Sequence, residues 1–172
     1  AVITKVILRL SRRPQAVRTL LAAFDSTDAA GNAVSDVISA GIIPAAIEMM
    51  DRTTIRAAEA AVQPGFPDAE AVLIVELDGP QSEVETLFQQ IEAVCARNQA
   101  WGVQVAEDDA QRGRIWMGRK AAFAAMGRVS PNYYVQDGVI PRSKLPEVLR
   151  RVRALEQRSG LTIGNVFHAG DG

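Results

Sequence analysis

The chain has 172 residues, 48% of them apolar and 23% charged, with a formal net charge of -1. That length supports one domain with its own core, and the near-neutral balance excludes the basic surplus expected of a nucleic-acid binder. The lone cysteine, Cys95, cannot form an internal disulfide; it falls on an apolar helix face and reads as buried and reduced, in a cytoplasmic setting.

No apolar run has the length of a bilayer span. The opening run, Ala1 to Arg13, lacks a basic leader and a cleavage site, so it does not read as a signal peptide. Val2, Ile3, Val6, Ile7, Leu8 and Leu10 predict a strand closed by Pro14. Ala16 to Phe24 suits strand or helix. Strand is expected, because Asp25-Ser26-Thr27-Asp28 follows as a helix N-terminus. A helix over Thr27 to Ser39 ends at Gly41. Pro44 to Met50 reads as strand, the alanine-rich Thr53 to Ala61 as helix, and residues 63–67, with two prolines and a glycine, as loop.

Ala71 to Leu77 (AVLIVEL) is the clearest buried strand. Ser82 and Glu85 have the spacing of a capping box, opening a helix with Val84, Leu87, Phe88, Ile91, Val94 and Cys95 at helical intervals. Trp101 to Val105 reads as strand and Asp108 to Met126 as a long helix. Asn132 to Ile140 reads as strand, with a bend at Asp137-Gly138. The helix after Pro141, Ser143 and Pro146 carries Leu145, Val148, Leu149, Val152 and Leu155 and stops at Gly160. Leu161 to Phe167 is the last predicted strand. The alternation predicts an α+β, ferredoxin-like sandwich, an antiparallel sheet with helices on one face. A doubly wound parallel fold is disfavoured, because Ser11-Arg12-Arg13-Pro14 is no phosphate cradle.

Few residues stand out chemically. His168 is the sole histidine, and it opens His168-Ala169-Gly170-Asp171-Gly172 at a strand end. That placement suits a metal ligand or an acid/base group, although a lone histidine is more often an ordinary surface or core residue and makes no metal site by itself. Asp171 is a partner for it or a plain turn aspartate. Arg119 can fork onto a carboxylate, but Arg112, Arg114, Lys120 and Arg128 lie close by and composition selects none of them. Tyr133 and Tyr134 are expected on opposite faces of a strand, one in the core and one exposed. Glu48 and Asp51 flank a Met pair at a strand end, where they can face a pocket.

Taken in order, AVITKVILRL, IPAAIEMMD, RIWMGRKAAF, PNYYVQDGVIPRSKLPEVL and GNVFHAGDG cover almost the whole chain. Together they resemble the C-terminal cap domain of FAD-linked oxidases of the vanillyl-alcohol oxidase type, most closely that of flavin-containing glycolate oxidase subunits. The resemblance implies an α+β cap over a flavin carried by a separate N-terminal domain. Residues 1–12 would then be the end of, or link from, that FAD-binding domain, and residues 13–172 a substrate-binding cap cut at its C-terminal end.

The family's last motif is H-x-G-D-G-N-x-H, whose histidines bind a divalent metal; here it supplies His168 and ends before the second histidine. The family's catalytic base also lies further on. Arg119 matches the arginine of the W-x-x-R helix that binds the substrate carboxylate in relatives, three residues after Trp116. Relatives acting on longer diacids carry a threonine four residues on and a lysine on the following strand, where this chain has Phe123 and Val135.

The resemblance therefore implies FAD-dependent oxidation of glycolate or a small D-2-hydroxy acid such as D-lactate, by a parent protein of which this piece alone is inactive. It implies as partners the FAD-binding domain and other glycolate oxidase subunits, which would hold the assembly at the inner face of the membrane. Homo-oligomers through an apolar face stay open. So do a non-enzymatic ferredoxin-like ligand-binding or oligomerisation module, and a related flavoenzyme for a phosphate-bearing or phenolic substrate.

Overall fold

A computed structural model describes residues 2–10 and 13–170. Asp171, one of the two candidate residues of the terminal turn, lies outside them. The elements are β1 (Ala16–Phe24), α1 (Thr27–Ser39), β2 (Ala46–Asp51), α2 (Arg52–Val62), β3 (Ala71–Gly79), α3 (Gln81–Arg97), β4 (Gly102–Val105), α4 (Asp109–Ala125), α5 (Leu145–Ser159) and β5 (Val166–His168), with short 3-10 turns at Met126–Arg128 and Arg142–Lys144. Among the described residues, no helix is long and apolar enough to cross a membrane.

The sheet order is β4-β1-β3-β2-β5, and every neighbouring pair is antiparallel. The unit β1-α1-β2 with β3-α3-β4 is the split β-α-β arrangement of ferredoxin-like folds. The expected α+β antiparallel architecture therefore stands, with α2 inserted and β5 added at one edge. The expectation of helices on one face needs correction. Leu20, Ala22, Phe24, Met49, Leu73 and Val75 pack with α1, α3 and α5. Alternation along the strands sends Leu21, Ala23, Met50, Val72 and Ile74 to the opposite face, against Ile55 and Ala58 of α2 and Ile115 and Ala122 of α4. Two helical layers thus enclose the sheet.

Helix boundaries follow local chemistry. Ser26 caps α1 by accepting from the Ala29 amide at 3.0 Å, and Asp108 caps α4 through the Gln111 amide at 2.7 Å. Gly160 ends α5 with φ 69°, a left-handed turn that suits glycine. The capping box at Ser82 and Glu85 does not form. Helix α3 starts earlier, with Pro80 at its cap position and no side-chain cap, so Ser82 is already helical. Glu85 accepts instead from the Gln81 side chain at 3.2 Å.

Two predicted strands are absent. Residues 2–10 are irregular, with Val2, Ile3, Val6, Ile7, Leu8 and Leu10 between 64% and 91% exposed. Residues 132–140 are also irregular, and Tyr134 and Val139 are exposed. Both runs have strand-like composition but no neighbouring strand, and β-propensity reflects a fit to a paired, half-buried surface. The last strand is reduced to residues 166–168, because the residues before it bond to other elements. The Ile163 amide donates to Glu156 and Asn165 binds Asp51.

Candidate functional site

Two carboxylates stand in the middle of buried strands, on the face covered by α4. Burying a charged group is costly unless partners satisfy it, so each organises donors around itself. Glu76 of β3 accepts through Oε2 from Thr19 Oγ1 at 2.7 Å, Trp116 Nε1 at 2.7 Å and Arg112 Nε at 3.0 Å. Glu48 of β2 divides its oxygens. Its Oε2 accepts from Arg119 Nε at 2.9 Å and lies 2.7 Å from Arg119 Nη2, and its Oε1 is 2.5 Å from His168 Nδ1.

Backbone geometry brings these groups together. Glu48 pairs directly with His168 across the β2–β5 ladder, and Met50 with Val166. Arg112, Trp116 and Arg119 recur at helical spacing along α4, which carries them over the sheet. Glu76 therefore anchors α4 one turn before Arg119 meets Glu48. Burial falls outward through the group, with side-chain exposures of 8% for Glu48, 23% for Arg119 and 52% for His168. The buried carboxylate thus lies behind a guanidinium and an imidazole that reach the surface.

A second knot fixes the segment leading into β5. Asp51 caps α2 by accepting from the Thr54 amide and hydroxyl, each at 3.0 Å, through Oδ1. Its Oδ2 accepts from the Asn165 amide at 2.7 Å and side chain at 2.8 Å. Burial pushes the Asp51 carboxyl above its ordinary value, against the opposing effect of the Thr54 and Asn165 donors. Gly164 lies so close to α2 that a Cβ there would meet Thr54 Cγ2 at 2.8 Å. Asn165 and Gly164 thereby hold β5, and His168 with it, against the β2 edge.

The structure therefore unites Arg119 and His168, which are distant in sequence, through Glu48. It separates Arg119 from the neighbouring basic residues: Arg112 serves Glu76, and Arg114, Lys120 and Arg128 are exposed. Tyr133 and Tyr134 do not split between core and surface. Both are exposed, and Tyr133 meets Phe123 edge-on with ring centroids 6.1 Å apart. Glu76 is the organising residue that reading the sequence missed. Its signal was an acid inside the apolar run AVLIVEL.

The site bears on metal and flavin differently. A histidine whose Nδ1 rests on a carboxylate has the usual outer-shell support of a metal ligand, so His168 fits that role. Among the described residues there is no group of three metal-ligating side chains, so His168 would be one ligand of a site completed by others. The turn from β1 into α1 carries no glycine, and the Ser26 side chain is spent on capping. It does not fit the phosphates of a dinucleotide.

Comparison with known proteins places this geometry. The chain is 49% identical over 172 residues to the glycolate oxidase subunit GlcD of Escherichia coli (strain K12), across 99% of this chain and 34% of that protein. It is 28% identical to a mitochondrial D-lactate dehydrogenase (cytochrome) of Arabidopsis thaliana, across 99% of this chain and 30% of that protein. The chain thus spans about a third of the length of these relatives. An alkyldihydroxyacetonephosphate synthase structure superposes with a TM-score of 0.70 at 15% identity, covering 92% of this chain and 34% of that one, which shows a shared fold. Residues 13–172 match the family model of FAD linked oxidases, C-terminal domain, and the chain belongs to that family.

Proposed function

We propose that this chain is the substrate-binding cap of an FAD-dependent oxidase of small 2-hydroxy acids, glycolate or D-lactate, and that it does not turn over substrate by itself. The observation that carries the reading is the meeting of Arg119 and His168 on one buried carboxylate. A 2-hydroxy acid presents a carboxylate and a hydroxyl on adjacent carbons. A guanidinium suits the first, through paired N–H donors. An imidazole, alone or as a metal ligand, suits the second. The pair with Glu48 uses Nε and Nη2 of Arg119, and Nη1 is not part of it.

Substrate size follows from the next turn of α4. Phe123 is exposed four residues beyond Arg119 and offers no charge for a second carboxylate. That favours a short monocarboxylate over 2-hydroxyglutarate. FAD, held by a domain outside this chain, would accept the hydride from the α-carbon. The chain's own residues bind and orient: Arg119 grips the carboxylate, and His168 faces the hydroxyl directly or as one ligand of a divalent cation. Holding reactants in this way lowers the barrier by positioning.

In the whole protein, residues 1–12 would link to the FAD-binding domain and residues 13–172 would form the cap. Partner subunits would place the assembly in the cytoplasm, at the inner face of the membrane. The buried Cys95 is compatible with that reducing compartment.

The test is anaerobic flavin bleaching of the whole flavoprotein by glycolate, D-lactate, L-lactate and D-2-hydroxyglutarate, with Arg119→Ala in parallel. Glycolate or D-lactate should bleach the flavin rapidly. Loss of a charge-assisted pair worth about 1.5–3 kcal/mol should raise the half-saturating concentration roughly 10- to 100-fold in the variant. Absence of bleaching by every acid would remove the substrate class, and an unchanged variant would remove the role of Arg119.

A further inference from the structure

We infer that Glu76 is a positioning residue for Arg119: it fixes how far α4 is turned about its axis, and so where the Arg119 guanidinium sits. This role rests on the proposed reading of Arg119 as the group that grips a substrate carboxylate. Arg112, Trp116 and Arg119 are four and then three residues apart, so they share one face of α4. Beneath that face lie two carboxylates on neighbouring strands. Ala46 pairs with Glu76 across the β2–β3 ladder, and Glu48 stands two residues after Ala46. Side chains two residues apart on a strand point the same way, so Glu76 and Glu48 rise from one face of the sheet. The helix is therefore tied to the sheet at two points, by Arg112 and Trp116 on Glu76 and by Arg119 on Glu48.

The tie at Glu76 is the one that resists rotation. Its Oε2 accepts from Trp116 Nε1 at 2.7 Å and from Arg112 Nε at 3.0 Å. An indole is rigid and has a single N–H donor, so Trp116 reaches Glu76 only over a narrow range of helix rotation. Thr19 stands directly opposite Glu76 on β1, is 1% exposed, and donates to the same oxygen at 2.7 Å. The carboxylate is thus held from the sheet side while it holds the helix. Packing supplies less restraint further along. Beyond Ile115, the buried positions of α4 are Gly118, Ala122 and Ala125, whose side chains are too short to lock its rotation. Without Glu76, α4 is free to turn, and Arg119 leaves the setting in which Nε and Nη2 both reach Glu48. Glu76 therefore acts through Arg119 and not on the substrate.

The experiment measures steady-state oxidation of glycolate and D-lactate by the whole flavoprotein. It compares the wild type with Glu76→Gln and Trp116→Phe, each alone and combined with Arg119→Ala. Glutamine keeps an acceptor oxygen but loses the charge facing Arg112, and phenylalanine keeps an aromatic ring but loses the N–H. Each single variant should raise the half-saturating concentration about 10-fold with kcat within about 3-fold, since misplacing a positioning group costs up to about 100-fold. In the Arg119→Ala background each should add less than about 2-fold, because the group it acts through is already gone. Equal increments in the two backgrounds, or an unchanged half-saturating concentration, overturn the inference. If Glu76→Gln does not fold, Trp116→Phe decides, because it leaves both carboxylates in place. A second readout needs no turnover. In the 172-residue chain, the Arg119 Nε proton donates to Glu48 at 2.9 Å, and Glu76→Gln or Trp116→Phe should abolish its protection from solvent exchange. Protection equal to that of the wild type also overturns the inference. A wild type that oxidises no 2-hydroxy acid would instead sink the substrate reading, and the exchange measurement would still decide the role of Glu76.

Discussion

Cys95 lies fully buried on α3, and burial pushes its thiol up to about 12 from an ordinary value of 9.0, with Glu92 adding to the same direction. The folded state therefore keeps its proton longer than the unfolded chain. Its contribution to stability is complete below pH 9.0 and is lost as pH rises from there toward about 12. Denaturation midpoints measured across that window should fall more steeply for the wild type than for Cys95→Ala. At neutral pH a thiol reagent should label Cys95 only as fast as the domain opens. Labelling at the rate of a free thiol would show that this face of α3 is accessible.

At the same scale, the sequence exposed part of the site. Glu48 was visible as an acid at the end of an apolar strand, and buried charges need partners. Its partners were not visible, because they come from α4 and β5, far away in the chain. Arg119 was singled out only by family resemblance. The residues alone left it level with Arg112, which the fold assigns to Glu76.

Among the elements, α4 carries the most information. Its length was legible because Asp108 supplies a cap and the apolar residues recur at helical spacing. Its closeness to the α2–β3 loop was not legible, and it depends on Gly118. A Cβ there would come within 2.5 Å of Phe66 Cζ and 2.6 Å of Pro64 Cγ. Gly118→Ala should therefore cost about 1–3 kcal/mol through overpacking. Since Arg119 follows directly, the same shift should weaken its pair with Glu48.

Gly113 is the control on the same helix. A Cβ there meets nothing within 4 Å, so Gly113→Ala should stabilise by about 0.5–1 kcal/mol through helix propensity. Thermal unfolding of both variants checks the pair. Equal effects would show that the α4 contact with Pro64 and Phe66 yields without strain. The absent strands at 2–10 and 132–140 mark the limit of element prediction. β-forming side chains were present in both, but strand formation needs a neighbour to supply hydrogen bonds, and that is a property of the fold.

For the molecule as a whole, the expectation of helices on one face overlooked the near-continuous apolar run of β3, since a strand with one solvated face alternates. The two apolar clusters cover both faces of the sheet, and residues 2–10 belong to neither. A segment whose side chains are exposed along its length contributes little to the folding free energy of the rest. The family match covers residues 13–172. Deleting residues 1–12 should therefore leave stability within about 0.5 kcal/mol of the parent chain, the range of surface changes that break no specific contact. The same deletion should lower the fluorescence of an apolar dye, because Val2, Ile3, Val6, Ile7, Leu8 and Leu10 are removed from solvent contact. Urea unfolding and dye titration of the two chains decide the matter together. Unchanged stability with reduced dye binding fits a connector whose apolar side chains pack on another part of the whole protein. A loss of several kcal/mol would instead make the segment part of this domain's core and move the boundary to its start.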